Sequence, residues 1–391
     1  MKILSVNAGS SSLKFQLYEM PEEKVLISGV FERIGIDGSL YTIKIDGEKF
    51  RKVVPLPNHA EAFRLLTEEL LERKIVDDLS EIQGVGHRIV QGADLYDKSI
   101  VIDEEVLKNI EDLSPLAPLH NPAHAVGIKA AMEAIPNALQ VAVFDTSFHQ
   151  TMKPSEYLYA LPYEWYEDYK VRRYGFHGTS HKYVSMKMNE ILERNDTKLI
   201  TCHIGNGGSI SAVLNGKCIN TSMGFTPAAG LIMGSRAGDI DSTIIPYVMD
   251  KTGMSINDIN NVLNKESGVL AISGISSDFR DIEDAAIAGN ERSILACEMY
   301  ANRVVDYIAK YYVQLGGCDA IVFTAGVGEN SPFMRKLIID KLAVLGIKLD
   351  EEANNERGKI NKISAEDSSS LVYVIPTDEE VMIARDVLSL L

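Results

Sequence analysis

ILSVNAGSSSLKFQLYE, residues 3–19, and LITCHIGNGGSISAVLNG, residues 199–216, follow one plan. Each opens with an apolar run of strand character, breaks at a turn of Gly, Ser and Asn, and resumes as a second strand. They lie about half a chain apart, and self-similarity at such a spacing marks a duplicated unit. Outward from the first hairpin, further strands are predicted at 25–31, 41–45 and 50–54. A helix follows at 59–73, with Ala62, Phe63, Leu66 and Leu70 on one face. Next come a strand at 82–90, helices at 104–111 and 122–134, and a strand at 140–144 that ends on Asp145. The second series runs helix 179–194, strands 199–203 and 210–214, helix 292–315, strand 320–324, helix 332–344, strand 371–375 and helix 378–390. Helices alternating with apolar strands predict an α/β protein, and two related halves, each with a hairpin tip that can hold phosphate, would form an interdomain cleft. The expected division is residues 1–148 plus 376–391 against residues 149–375, with the last helix returning to the first domain.

The chain has 391 residues, 39 Lys and Arg against 55 Asp and Glu, and a net charge of −16. A surface that negative repels phosphate backbones and anionic membranes, so neither nucleic acid nor membrane is expected as a partner. Anionic substrates would then need positive charge concentrated at one place. The four cysteines form no CxxC pair and read as core residues of a reducing compartment. The N-terminus lacks a signal-peptide core, and no apolar run approaches the ~20 residues that span a bilayer. A cytoplasmic protein is the expectation.

Common nucleotide and metal motifs are absent. There is no GxxxxGK[ST]. Gly84-Val-Gly86 and Gly326-Val-Gly328 both lack the third glycine of a dinucleotide fingerprint. Asp278-Phe279-Arg280 stands without the catalytic loop of a protein kinase, and no HExxH occurs. His177 and His181, like His120 and His124, are spaced four apart as metal ligands can be, but no carboxylate or Cys completes either set.

Several segments carry chemistry of another kind. In Asn7-Ala-Gly-Ser-Ser-Ser-Leu-Lys14, small residues expose backbone N–H groups, hydroxyls add donors and Lys14 adds charge. His203-Ile204-Gly205-Asn206-Gly207-Gly208-Ser209 admits close approach of backbone to a ligand. Gly326-Val327-Gly328-Glu329-Asn330 sits between a buried strand and a helix started by proline. Arg88 and Arg236 lie among small or apolar residues, where a guanidinium can grip carboxylate or phosphate, although a structural salt bridge is the plainer role. Asp145 closes its strand as a catalytic carboxylate often does, or as a simple turn residue. A capping box is expected at Thr377-Asp378-Glu379-Glu380, with Thr377 as cap and Glu380 reaching back. That leaves Glu379 spare to hold Mg²⁺ through water.

Taken together, VNAGSSSLK, GHRIVQG, FDTSFH, YGFHGTSH, HIGNGGS, GLIMGSRAGDID, AGVGEN and IPTDEE resemble the acetate kinase family, in that family's order and over nearly the whole chain. The resemblance implies two actin-like (ribonuclease H-like) domains, Mg²⁺ (or Mn²⁺) as cofactor, ATP/ADP as co-substrate and a homodimer. It implies transfer of a phosphoryl group from ATP to acetate, giving acetyl phosphate. By matching motif it implies Asn7 and Glu379 at the metal. Lys14, His203 to Gly207, Asp278, Phe279, Arg280 and Gly326 to Asn330 would meet the nucleotide. Arg88, Asp145, His177 and Arg236 would form the catalytic set. Arg88, Val90, Leu119, Phe176 and Pro227 would line the acyl pocket.

Acetate, with a pKa near that of Glu, is already a nucleophile at neutral pH and needs no general base. The barrier is an anion approaching a polyanion, so catalysis should be positional and electrostatic, by direct in-line attack. Asp145 then orients an Arg or a metal-bound water; the family treats it as catalytic. A propionate or butyrate kinase of the same fold is the nearest alternative. A non-enzymatic ATP switch and a sugar kinase are more distant ones.

Overall fold

The 3–19 stretch forms the hairpin its strand–turn–strand plan predicts, and each half of the chain is built outward from such a hairpin. The computed structural model describes residues 1–391. It divides into two units, Met1–Gln150 with Asp378–Leu391, and Thr151–Thr377. In the first unit the strands are β1 (Lys2–Ala8), β2 (Ser12–Glu19), β3 (Lys24–Glu32), β4 (Leu40–Ile45), β5 (Glu48–Val53), β6 (Ile82–Ile89), β7 (Ile100–Val101) and β8 (Leu139–Phe144). They form one sheet in the order β5-β4-β3-β2-β1-β6-β8-β7. β1, β6 and β8 run parallel and the other pairs antiparallel.

The second unit contains β9 (Lys198–Ile204), β10 (Gly208–Leu214), β11 (Lys217–Thr221), β12 (Ala320–Thr324), β13 (Asn361–Lys362) and β14 (Leu371–Val374), in the order β11-β10-β9-β12-β14-β13. Its β11-β10-β9-β12-β14 reproduces β3-β2-β1-β6-β8 strand for strand, with the same parallel and antiparallel pairings. The internal echo of the sequence is therefore a duplicated topology. β12 is buried at every position and β9 at all but its first, as expected of central parallel strands covered on both faces.

In the first unit, Leu4, Val6, Leu13 and Phe15 pack with Phe63, Leu66 and Leu70 of the helix His59–Glu72. In the second, Ile200, Cys202, Ile321 and Phe323 pack with Tyr300, Val304, Ile308 and Tyr311 of the helix Glu291–Leu315. No helix is long and apolar enough to cross a membrane.

The last helix, Glu379–Leu388, belongs to the first unit and packs on β1 and β6. Gly84 and Gly86 of β6 allow this. A side chain at either would overlap Val387 or Ile383. These glycines, which looked like a failed nucleotide fingerprint, are where a helix lies close on a strand. Four residues of helix and two of strand both advance about 6 Å. The row Val387, Ile383, Glu379 therefore tracks the row Gly84, Gly86, Arg88, and the helix start arrives at Arg88.

Two local expectations are corrected. The cap of the last helix is Asp378, not Thr377: Asp378 Oδ1 accepts from Val381 N at 2.9 Å. Thr377 is occupied elsewhere, its hydroxyl 2.8 Å from Ser180 Oγ and its N–H donating to Glu329 Oε1 at 3.1 Å. The helix expected over 332–344 ends at Lys341, followed by a tight turn at Ala343–Leu345.

Candidate active site

In the first unit, Asn7, Arg88 and Asp145 stand at or just past the carboxyl ends of β1, β6 and β8. This is where open α/β sheets hold their ligands. Asp145 is 1% exposed, and its N–H donates to Ile89 O at 2.8 Å. The next residue, Thr146, accepts from Gly92 N at 3.1 Å. On this fixed carboxylate Arg88 makes a two-pronged bond, Nε to Oδ1 at 3.0 Å and Nη2 to Oδ2 at 2.8 Å. Nη1 takes no part in it. Arg88 Nε is also 3.9 Å from Glu379 Oε2. Burial opposes the charge on Arg88, but Asp145 and Glu379 outweigh it and hold the group above its ordinary value. Burial drives the Glu379 carboxyl well above the usual range. Asp145 and Glu380 add to this and Arg88 opposes it.

Asn7 faces Lys14 directly in the β1–β2 register, with Lys14 exposed. The turn between them is held from behind. His124 Nδ1–H donates to Ala8 O and His59 Nε2–H to Gly9 O, both at 2.8 Å. Burial, with the Arg88 charge adding to it, pushes His124 down to about 3, so it serves as a neutral donor. Of the residues expected to line the acyl pocket in this unit, Val90 is buried and Leu119 is 69% exposed.

No group of three or more His, Cys, Asp or Glu could hold a metal by itself. The Asn7 amide and the Glu379 carboxylate are hard oxygen donors, and Glu379 is crowded by other carboxylates, which a divalent cation would relieve. One or two such ligands with the rest supplied by phosphate and water is the pattern for Mg²⁺, so the residues fit that ion.

In the second unit the corresponding place is the carboxyl end of β9 and β12, where His203 lies beside Thr324 in register. His177, at φ 56°, caps the helix Gly178–Leu192 in a left-handed conformation uncommon for a non-glycine residue. Its ring stacks on His203 with centroids 4.0 Å apart. His177 Nδ1 lies 2.9 Å from Ser209 Oγ, and His203 Nδ1 lies 2.8 Å from Ser180 Oγ. The Gly205–Gly207 turn closes with Gly205 N donating to Gly207 O at 3.0 Å. Asn206 O accepts from Gly234 N at 2.8 Å, and a side chain on Gly234 would overlap Asn206 Oδ1. Two residues on, Arg236 reaches back so that its Nη2 would lie 3.2 Å from a Cβ at Gly207. Arg236 Nη1 donates to Pro227 O at 2.8 Å; no carboxylate pairs with it, and burial lowers its pKa. The turn and the second arginine, distant in sequence, are thus neighbours.

Other expected contacts are distributed differently. Asp278 and Arg280 pair with each other at 2.6 Å on the surface, and Asp278 caps the helix Phe279–Ile287. Phe279 is core, its ring edge-on to Tyr300 at 4.6 Å, so its side chain is not a ligand contact. Residues Ala325–Asn330 form a short helix instead of an open turn. Glu329 Oε1 accepts from Ala325 N at 2.8 Å and from Thr377 N, so this carboxylate holds its own segment together. Asn330 Nδ2 donates to Gly326 O at 3.0 Å. Ile204, Val327 and Phe176 are buried and Pro227 is partly so.

Two features went unread in the sequence. Ser180, Thr201 and Ser209 hydrogen-bond the histidines, and nothing in their spacing announces it. Arg335 is fully buried without a carboxylate. Its Nη1 donates to Gly328 O and Glu329 O at 2.9 and 3.0 Å and its Nε to Asn354 Oδ1 at 2.8 Å, clamping the end of the 325–330 helix. Burial lowers its pKa to about 10.

The acetokinase family model matches residues 2–385. An acetate kinase of Geobacillus sp. (strain WCH70) is 54% identical over 391 residues, all of this chain and 98% of that one. The acetate kinase of Bacillus subtilis (strain 168) is also 54% identical over 391 residues, covering 100% and 99%. The crystal structure of Porphyromonas gingivalis acetate kinase matches with TM-score 0.95 at 44% identity over 99% of each chain. A propionate kinase from Francisella tularensis subsp. tularensis SCHU S4 matches with TM-score 0.93 at 41% identity over 98% of each. On these grounds the chain is a kinase and belongs to the acetokinase family.

Proposed function

We propose that the chain transfers the γ-phosphoryl group of ATP to acetate, giving acetyl phosphate and ADP, and does so reversibly. The observation that carries this reading is the Arg88–Asp145 fork. Two of the three guanidinium nitrogens are spent on a fixed carboxylate, which aims Nη1 as a donor for a second carboxylate, the acceptor substrate. Asp145 acts as the orienting group, and no base is needed because acetate is already ionised. Arg236 and His177 would stabilise charge on the transferring group. A carboxylate oxygen forms the new bond to phosphorus as the bond to the leaving ADP oxygen breaks. Asn7 and Glu379 would hold Mg²⁺, which neutralises phosphate charge when bound.

Incubation with Mg-ATP, hydroxylamine and acetate, propionate or butyrate in turn tests this, with acyl hydroxamate as readout. Acetate well ahead of propionate is expected, with no product when Mg²⁺ is chelated. Val90→Ala should shift the propionate-to-acetate ratio of kcat/KM upward by about tenfold, the worth of a methylene or two in an apolar pocket. Propionate ahead in the wild type would favour the chemistry of the 41%-identical propionate kinase. Absence of hydroxamate from protein that binds ATP would sink the reading.

We also propose that the chain is a homodimer. The helix Ile244–Thr252 has no buried residue, although Ile244 and Tyr247 are 47% and 65% exposed, and Ile240 and Ile256 extend the apolar surface. A second copy would cover it. Light scattering should give twice the 43.1 kDa chain mass, and Ile244→Asp with Tyr247→Asp should halve it. A monomeric wild type would refute the dimer.

A further inference from the structure

His181 was notable in the sequence only for lying four residues from His177, as a metal ligand would. In the fold it is completely buried, as are Thr201 and Ser209, and these three side chains connect His177 to a backbone carbonyl. The contacts run from Ser211 O to Thr201 Oγ1 at 3.5 Å and from Thr201 Oγ1 to His181 Nδ1 at 2.7 Å. They continue from His181 Nε2 to Ser209 Oγ at 2.7 Å and from Ser209 Oγ to His177 Nδ1 at 2.9 Å.

The direction of this chain follows from its end. A carbonyl only accepts, so the Thr201 hydroxyl donates to Ser211 O and must accept from His181 Nδ1–H. The neutral His181 ring then has a bare Nε2, which accepts the Ser209 proton. Ser209 Oγ, its single proton spent, accepts from His177 Nδ1–H. Each link has one donor and one acceptor. Reversing any one of them alone sets two protons or two lone pairs against each other in a buried place, at a cost of about 1–3 kcal/mol, and reversing all of them together gives up the bond from Thr201 to Ser211 O.

We propose that Thr201, His181 and Ser209 are positioning residues that fix His177 as the Nδ1–H tautomer, so that Nε2 is the nitrogen that gains and loses its proton. This rests on the role proposed above for His177. The charged ring then offers Nε2–H to a phosphoryl oxygen, while Nδ1–H and the stack on His203 hold the ring plane. The left-handed backbone at His177 is part of the same arrangement: His181 N–H donates to His177 O at 2.9 Å, tying the cap to the relay residue one turn on.

The test combines spectroscopy and kinetics. Protein labelled with ¹⁵N at its eight histidines is examined by NMR above about pH 8, where an ordinary imidazole is neutral. His177→Asn identifies the His177 signals, Asn being tolerant of left-handed backbone. The expected result is a pyrrole-like Nδ1 and a pyridine-like Nε2. Thr201→Val, nearly isosteric but without the hydroxyl, should mix the tautomers and lower kcat roughly 10- to 100-fold, with KM for acetate and ATP within about twofold. Thr201→Ser, which restores the hydroxyl, should recover kcat and the tautomer. A wild-type His177 protonated at Nε2, an unchanged kcat in Thr201→Val, or equal losses in the Val and Ser variants would each overturn the proposal. The NMR readout does not depend on acyl transfer. A wild type that makes no hydroxamate yet shows His177 as Nδ1–H would count against the proposed function while supporting the relay.

Discussion

Replacing Arg88 by methionine is expected to lower kcat/KM for acetate about a thousandfold and to destabilise the fold. The activity loss follows if Arg88 grips the acceptor as proposed. A buried charge-assisted contact is worth about 3–5 kcal/mol when one partner is deleted, and about 4 kcal/mol corresponds to a factor of a thousand. The stability loss has a separate origin. Asp145 is 1% exposed, and without Arg88 it is left beside Glu379 with no cation in contact. Breaking such a pair from one side costs about 3 kcal/mol or more, whereas removing both partners is often neutral. Arg88→Met combined with Asp145→Leu should therefore regain most of the lost thermal stability and none of the activity. Arg88→Lys should keep the charge yet lose at least a hundredfold in kcat/KM, since an ammonium cannot hold Asp145 at two points and present a third donor in the same plane. Thermal melts and steady-state kinetics on the four proteins decide the matter. A double variant that recovered activity would show that Arg88 does not bind the acceptor.

Arg236→Met should show the opposite stability. We expect kcat to fall by about 10²- to 10³-fold with little change in KM, the usual effect of removing a donor aimed at transition-state charge. The thermal midpoint should stay the same or rise. Arg236 has no carboxylate partner and donates to Pro227 O, and burial already works against its charge. Its removal leaves no buried anion behind, unlike that of Arg88. An apolar side chain of similar length suits the site better in the absence of substrate. A variant that lost stability along with activity would show that the guanidinium is structural, and would withdraw Arg236 from the phosphoryl group.

These two arginines looked alike in the sequence. Each sits among small or apolar residues, and each could have been half of a plain salt bridge. Spacing shows that a guanidinium is set into a tight segment. It does not show whether an acid 57 residues away faces it, as Asp145 faces Arg88. The same limit applies to Glu329 and Phe279. Both stand in segments whose composition marks them as candidates for chemistry, yet one carboxylate ties down its own helix and one ring fills the core. Small-residue turns can be recognised from composition, whereas the direction of each side chain within them depends on what packs behind.

By itself the sequence determined the α/β class, the duplication and most of the strands and longer helices, though not the run of helices between Ile244 and Ile287, and it marked the segments expected to carry the chemistry. These are written in local periodicity, in turn residues and in the repeated 3–19 plan, all read over a dozen residues or so. Only the tertiary structure decided that Gly84 and Gly86 serve a helix and not a nucleotide, that Asp145 aims Arg88, and that Asp378 displaces Thr377 as cap. It alone joined Thr201, His181 and Ser209 into one line behind His177. Each of these depends on partners brought together from distant parts of the chain. Which donor meets which acceptor is settled by burial and packing, on which local patterns are silent.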